Sequence, residues 1–319
     1  MRPDLSAKLP YALRHALSRL GPLIEDGSVT DIFVNGGDGV WVDRGSGTER
    51  ANEITLSAEE ARALAVSLIG AGGRHLDELN PCVDVRLAHG IRVHAVLPPV
   101  STGGSLVSIR LPRTQHLSFA ELVARGLCDL STANRLIEAV RQRQNILITG
   151  PTGSGKTTLL AALLSLSEPN ERILTVEDVA ELHITHPHVV SLEARQANIE
   201  GAGGVPLERL VREALRMRPS RLVVGECRGA ELPVLLGALN TGHNGGAGTV
   251  HASSLSDVPA RLEALGASAG IEPQHLARQV LSAIHLVAHL TLDAGTRSIS
   301  HLGRFVLDRD GLLSVTAET

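Results

Sequence analysis

The sequence predicts an α/β protein in two parts, a smaller α+β domain over residues 1–112 and a larger α/β domain over residues 113–319. Three observations carry that prediction. Before residue 112, apolar and polar residues alternate in short runs separated by glycine-containing turns, which is the period of half-buried strands. After Ser118, short and continuously apolar runs alternate with helical ones, as a parallel or mixed sheet covered on both faces requires. One of those apolar runs leads through a glycine-rich loop directly into a helix.

Taken in order, residues 12–25 place apolar residues at helical spacing. "TDIFVNG" and "GVWVDRG" then read as a strand pair around a glycine-rich turn. In "SAEEARALAVSLIG", Ser57 and Glu60 form a capping box ahead of an amphipathic helix that runs to the glycines at 70–73. "VDVRL", "IRVHAVLP" and "SLVSIRLP" follow as three alternating segments expected to pair antiparallel. "LPRTQHLS" is the expected linker. Beyond it, "NILIT", "RILTVED", "VVSLE", "RLVVGE" and "GTVHA" are the strands expected in the second sheet.

Composition narrows the function classes. At 43% hydrophobic residues, 319 residues bury a full core without disulfides. Cys82, Cys128 and Cys227 stand far apart with no CxxC pair, which fits neither a disulfide framework nor a thiolate zinc site and points to a reducing cytoplasm. No run of about 18 apolar residues and no cleavable leader pattern occurs, so the chain is expected neither to be exported nor to span a membrane. A net charge of −4, with only three Phe, one Trp and one Tyr, argues against a general nucleic-acid surface with base-stacking platforms. Of 30 Lys plus Arg, only Lys8 and Lys156 are lysine, so Lys156 marks a place where arginine would not serve.

The loop containing Lys156 has the pattern GxxxxGK[ST], formed by Gly150, Pro151, Thr152, Gly153, Ser154, Gly155, Lys156 and Thr157, with Thr158 next. An apolar strand before it and a helix after it are the context of a phosphate-binding loop. There backbone N–H groups and a helix N-terminus face a phosphate, Lys156 reaches the β- and γ-phosphates, and Thr157 offers a hydroxyl to Mg²⁺. The guanine-reading NKxD motif is absent, which leaves ATP as the expected nucleotide.

An acid at the end of a buried strand demands a cationic or chemical partner. "RLVVGE" ends in Glu226, with Gly225 where such sheets usually carry an aspartate, so Glu226 holds Mg²⁺ or aligns the attacking water alone or shares that work. Glu177 and Asp178, at the end of "RILTVED", are the second acidic strand end, and their plainer reading is a helix N-terminal cap. "NTGHNGGAGTVHASS" adds His243 in a glycine-rich loop and His251 at the next strand end, where a neutral imidazole would sense a γ-phosphate. The histidines of "HITHPH" lack the geometry and the co-ligands of a metal site.

These motifs in this order resemble the type II/type IV secretion traffic ATPases, through "TVEDVAEL", "LRMRPSRLVVGECRG" and "TGHNGGAGTVHA". The upstream stretch "RHLDELNPCVDVRLAHGIRVHAVLPPVSTGGSLVSIRLP" matches as well, so the likeness covers about residues 25–290. "LRMRPSRLVVGECRG" together with "LNTGHNGG" looks most similar to the tight-adherence (Tad/Flp) pilus assembly branch. The resemblance implies a RecA-like ATPase domain preceded by a PAS-like α+β domain, assembled as a homohexamer with ATP between the domains at a subunit boundary. It implies Glu226 and Glu177 as the acids of hydrolysis, His243 and His251 as the His box, and Arg92 and Arg110 as first-domain arginines that reach a γ-phosphate. By their sequence setting alone the two arginines are salt-bridged strand residues. Cys227 and the glycine-rich "GGAGT" depart from the family pattern.

The function expected is an ATP-hydrolysing motor for pilus assembly or secretion, held at the cytoplasmic face of the inner membrane by a platform protein, with no specific nucleic acid. A nucleic-acid motor with DNA-stimulated turnover is the alternative. A structural subunit that binds nucleotide without turnover would keep Lys156 and not need Glu226.

Overall fold

The computed structural model describes residues 11–45, 47–111, 117–195 and 202–318. The chain divides into two compact units, Met1–Gln115 and His116–Thr319. Most of the expected linker at 111–118 lies outside the described residues.

The first unit holds helices α1 (Tyr11–Ala16), α2 (Gly21–Glu25) and α3 (Ala58–Ala71). Its strands are β1 (Asp31–Asn35), β2 (Val40–Asp43), β3 (Thr48–Arg50), β4 (Cys82–Arg86), β5 (Arg92–Val96) and β6 (Leu106–Arg110). The helical spacing over 12–25 is broken into two short helices, with Pro22 in the first turn of α2, where its missing N–H costs nothing. At the start of α3 the Ser57 hydroxyl accepts from the Glu60 N–H at 3.2 Å while the Glu60 carboxylate accepts from the Ser57 N–H at 2.8 Å, the capping box its spacing predicts.

All six strands pair antiparallel in the order β3-β2-β1-β6-β5-β4. The period of two puts Ile32, Val34, Val93, Ala95, Val107 and Ile109 on one face, where they meet Ala61, Leu64, Ala65, Leu68 and Ile69 of α3 in one buried cluster. Each fully buried Leu or Ile contributes about 1.5–3 kcal/mol. The opposite face carries the charged residues of the same strands.

The second unit contains strands β7 (Ile146–Gly150), β8 (Ile173–Glu177), β9 (Val189–Glu193), β10 (Arg221–Val224), β11 (Ala247–His251), β12 (Leu286–Asp293), β13 (Thr296–Leu307) and β14 (Leu313–Ala317). Its helices are α4 (Phe119–Ala124), α5 (Leu130–Arg141), α6 (Lys156–Leu164), α7 (Leu207–Leu215), α8 (Glu231–Asn240), α9 (Val258–Ser268) and α10 (Pro273–Ala283). The sheet runs β14-β13-β12-β7-β11-β10-β8-β9 and is mixed: six neighbouring strands from β12 to β9 are parallel, and β13 and β14 extend it antiparallel.

Residues of α4, α5 and α6 cover one face in one apolar cluster, and those of α7 to α10 cover the other. β7, β8 and β10 are therefore buried along their whole length, and β11 up to His251. Because these strands are parallel, Gly150, Glu177, Glu226 and His251 all emerge at the same carboxyl edge, where open α/β sheets bind ligands. β12 to β14 were not among the expected strands.

Candidate functional site

β7 delivers the loop 150–155 to that edge, and α6 begins at Lys156. Gly150 has φ +148°, and a Cβ there would lie 2.6 Å from the Leu290 carbonyl oxygen, so only glycine lets the loop bend so close to β12. No side chain caps the first turn of α6. The buried Ser154 hydroxyl has no protein hydrogen-bond partner among the described residues. A loop with uncapped helix N–H groups and an orphaned buried hydroxyl fits an anionic phosphate.

Lys156 is 7% exposed. Its Nζ donates to the carbonyl oxygens of Gly150 at 3.0 Å and Pro151 at 2.9 Å, and to His251 Nδ1 at 3.0 Å. An ammonium has three donors, and these acceptors account for all of them. Burial lowers its pKa to about 8, although the Glu226 charge pulls the other way.

The ammonium only donates, so His251 Nδ1 accepts from it, and Nε2 carries the imidazole proton. That Nε2 stands 2.9 Å from Glu226 Oε1. His251 thus joins the lysine of the loop to the acid that follows β10 as a neutral imidazole. Burial and the Lys156 charge both lower its pKa, against the opposing pull of Glu226.

The backbone fixes where Glu226 points. After β10, the Gly225 N–H donates to the Val176 carbonyl, the Thr249 hydroxyl donates to the Gly225 carbonyl at 2.7 Å, and the Cys227 N–H donates to the Thr249 carbonyl at 2.8 Å. This turn, pinned across β8 and β11, presents Glu226 beside His251 and buries Cys227 in the core, where burial pushes its thiol pKa far up. Burial would raise the Glu226 pKa, but the hydrogen bond and charge of Arg228, with help from His251 and Lys156, leave it lowered.

Gly225 leaves room for Glu177: a Cβ there would fall 2.6 Å from Glu177 Cγ. Glu177 is buried, and its Oε1 accepts from the Glu181 and Leu182 N–H groups, each at 3.0 Å. Those bonds brace the irregular segment after β8, where no helix follows for a cap. Oε2 is buried with no hydrogen-bond partner among the described residues, and burial raises the pKa to about 7.

Arg228 was not singled out in the sequence. Its Nη2 donates to Glu226 Oε2 at 2.6 Å, and its Nη1 lies 3.8 Å from Asp178 Oδ2, so one guanidinium ties together the two acidic strand ends. The only local signal for it is a cation two residues after Glu226.

His243 is not brought to this edge. The Gly245 and Gly246 N–H groups donate to the buried Asn145 side chain just before β7, so the loop holding His243 sits at the amino edge of the sheet. Five residues of β11, about 17 Å at strand rise, lie between that loop and His251. Thr152 is exposed and Thr157 and Thr158 are half-buried on the loop and the first turn of α6. Thr157 and Glu226 offer oxygen donors of the kind a Mg²⁺ ion takes. In the first unit, Arg92 and Arg110 are direct cross-strand partners, and Arg110 Nε is 3.0 Å from Asp31 Oδ1.

The family pattern described as "Type II/IV secretion system protein" matches residues 15–311. A Mycobacterium tuberculosis protein named for conjugal transfer is 48% identical over 291 residues, which span 89% of this chain and 82% of that protein. The type IV secretion system protein VirB11 of Bartonella quintana is 30% identical over 275 residues, spanning 75% of this chain and 77% of its own. Among solved structures, the Legionella pneumophila ATPase DotB superposes with a TM-score of 0.58 at 22% identity, over 94% of this chain and 78% of that one.

Proposed function

The chain belongs to the type II/IV secretion system protein family, and from that premise we propose that it is an ATP-hydrolysing motor for a secretion or pilus machine. The observation that carries this reading is the continuous link from Lys156 through His251 to Glu226 beside a phosphate loop. It puts a cation for the β- and γ-phosphates and a carboxylate for water or Mg²⁺ within one hydrogen-bonded chain. A subunit that only held nucleotide would not need that carboxylate.

In this reading the loop and α6 bind the phosphates, and Lys156 exchanges its carbonyl partners for phosphate oxygens. Thr157 and Glu226 hold Mg²⁺, which neutralises phosphate charge when bound. Glu226 orients the attacking water, and His251 reports the presence of the terminal phosphate by losing or keeping its bond to Lys156. Arg228 keeps Glu226 ionised and in place. Glu177 is the second acid of the site and Arg92 and Arg110 are the arginines that reach the γ-phosphate.

The second unit is read as a RecA-like ATPase domain (113–319) and the first as a PAS-like domain (1–112), with six copies forming a ring at the cytoplasmic face of the inner membrane. No helix among the described residues is long and apolar enough to cross a membrane, and the ring is read as attached through a platform protein. The conjugal-transfer and VirB11 names of the relatives favour the secretion side of the family, while the tight-adherence pilus reading rests on the "LRMRPSRLVVGECRG" and "LNTGHNGG" motifs.

The test is Mg²⁺-dependent ATP turnover by wild type and Lys156→Ala, with and without single-stranded DNA. Turnover that disappears in the variant and ignores DNA supports the proposal. Stimulation by DNA would replace it with a nucleic-acid motor, and tight ATP binding without turnover would reduce the chain to a nucleotide-binding subunit.

A further inference from the structure

The hairpin of β12 and β13 reaches the phosphate loop from the side away from Glu226. Asp293 pairs with Thr296 across a two-residue turn in which Ala294 and Gly295 have φ of +48° and +84°, the geometry that matches the twist of a tight hairpin. The turn sets the next pair, Leu292 and Arg297, against the loop. Arg297 Nε donates to the Gly153 carbonyl at 2.8 Å, across 144 residues of sequence. A Cβ on Gly155 would lie 3.4 Å from Arg297 Cδ, and one on Gly153 would lie 3.9 Å from Leu292 Cδ2.

The sheet order β12-β7-β11-β10 gives the two sides of the loop different chemistry. Lys156, His251 and Glu226 form their chain on the β11 and β10 side, which is where a terminal phosphate and water belong. A nucleotide seated in the loop with its terminal phosphate there directs its nucleoside end toward the β12–β13 hairpin. Bases are commonly held by aromatic stacking. In the unit that carries the loop the only Phe, Tyr or Trp side chains are Phe119 and Phe305, and both are buried in the core. A guanidinium is the other planar side chain that covers an aromatic face.

We infer that Arg297 is a nucleotide-binding residue: anchored to Gly153 through Nε, it lays its guanidinium plane against the purine base of the nucleotide held by the loop. This rests on the ATP-binding reading of that loop. It gives the hairpin a role in affinity for ATP and ADP alike and none in the hydrolytic step, because the base is the same in both.

Equilibrium binding of ADP, ATP and inorganic tripolyphosphate to wild type, Arg297→Ala and Arg297→Lys tests it. Tripolyphosphate occupies the loop and has no base. The expected result is ADP and ATP affinity reduced roughly 3- to 30-fold in both variants, with tripolyphosphate affinity unchanged within about twofold. The lysine keeps a cation and a donor for the Gly153 carbonyl, so its failure to rescue ADP binding isolates the plane, and it carries the test if the alanine variant does not fold. Unchanged ADP affinity in either variant overturns the inference, as does an equal loss for ADP and tripolyphosphate, which would make Arg297 a prop for the loop. Wild-type protein that binds tripolyphosphate and ADP equally well overturns it too. Wild-type protein that binds none of the three removes the nucleotide reading itself and this inference with it.

Discussion

His251 Nε2 lies 2.9 Å from Glu226 Oε1 while its Nδ1 takes a hydrogen bond from Lys156, so one imidazole connects the phosphate loop to the acid of the neighbouring strands. Neither ring nitrogen is left over. A ligand that draws Lys156 away changes the partner of Nδ1, and through the ring it changes the hydrogen bond to Glu226.

Glu226→Gln keeps the shape of that side chain and removes its charge. Nucleotide is expected to bind within about tenfold of wild type, while turnover falls roughly 10²- to 10⁴-fold, the contribution of a positioned acid or base. Single-turnover hydrolysis alongside ADP binding separates the two quantities. Wild-type turnover in the variant would shift the acid role to Glu177.

Lys156 sits near pH 8 in the protein alone because of its burial, and a phosphate beside it raises that value by stabilising the ammonium. The complex therefore binds more protons than the free protein above about pH 8. ADP affinity is fully present below that pH and falls above it, by up to about tenfold per pH unit, until the pKa of the complex is reached. Calorimetry in buffers of different ionisation enthalpy should show proton uptake on binding at pH 9 and none at pH 7. Equal affinity at both values would mean that Lys156 does not face the phosphates.

Arg110 pairs with Asp31 on the sheet of the first unit, and an exposed pair of this kind is worth at most about 1 kcal/mol. As a finger on ATP, Arg110 would contribute far more. Arg110→Ala is expected to cost roughly 10³ to 10⁵ in turnover, about 4–7 kcal/mol of transition-state stabilisation, with Asp31→Ala close to wild type. Turnover equally unaffected by the two substitutions would return Arg110 to a strand ion pair.

Glu177 has a pKa raised by burial to about 7, so its neutral form is the one that the fold favours. A carboxyl raised on folding supplies stability that is complete below its unfolded value of about 4.3 and is lost as pH rises to about 7. The loss amounts to about 4 kcal/mol at most. Denaturant titrations should show wild type weakening between pH 5 and pH 8 relative to Glu177→Gln. Parallel pH profiles for the two proteins would mean that the carboxyl stays ionised throughout.

The strand, glycine loop and helix around Lys156 were legible in the sequence because their parts are local: a strand, glycines and a lysine within a dozen residues, all constrained by one short turn. Glu226 was legible for a similar reason, since a carboxylate closing an apolar strand stands out against the desolvation it would suffer. The capping box of α3 and the alternation of β4, β5 and β6 also follow from short-range periodicity.

What the tertiary structure decided depends on which strand lies beside which. It put β1 next to β6, which makes Asp31 the neighbour of Arg110, and it placed His243 and His251 at opposite ends of one strand although eight positions separate them in the chain. It gave Gly225 its purpose, as room for a side chain arriving from β8, and it laid the hairpin that carries Arg297 on the loop 144 residues before it. Local sequence sets the period and the chemistry of each segment. Sheet order is set by burying both faces of the whole assembly at once, so contacts between distant strands exist only when the fold is complete.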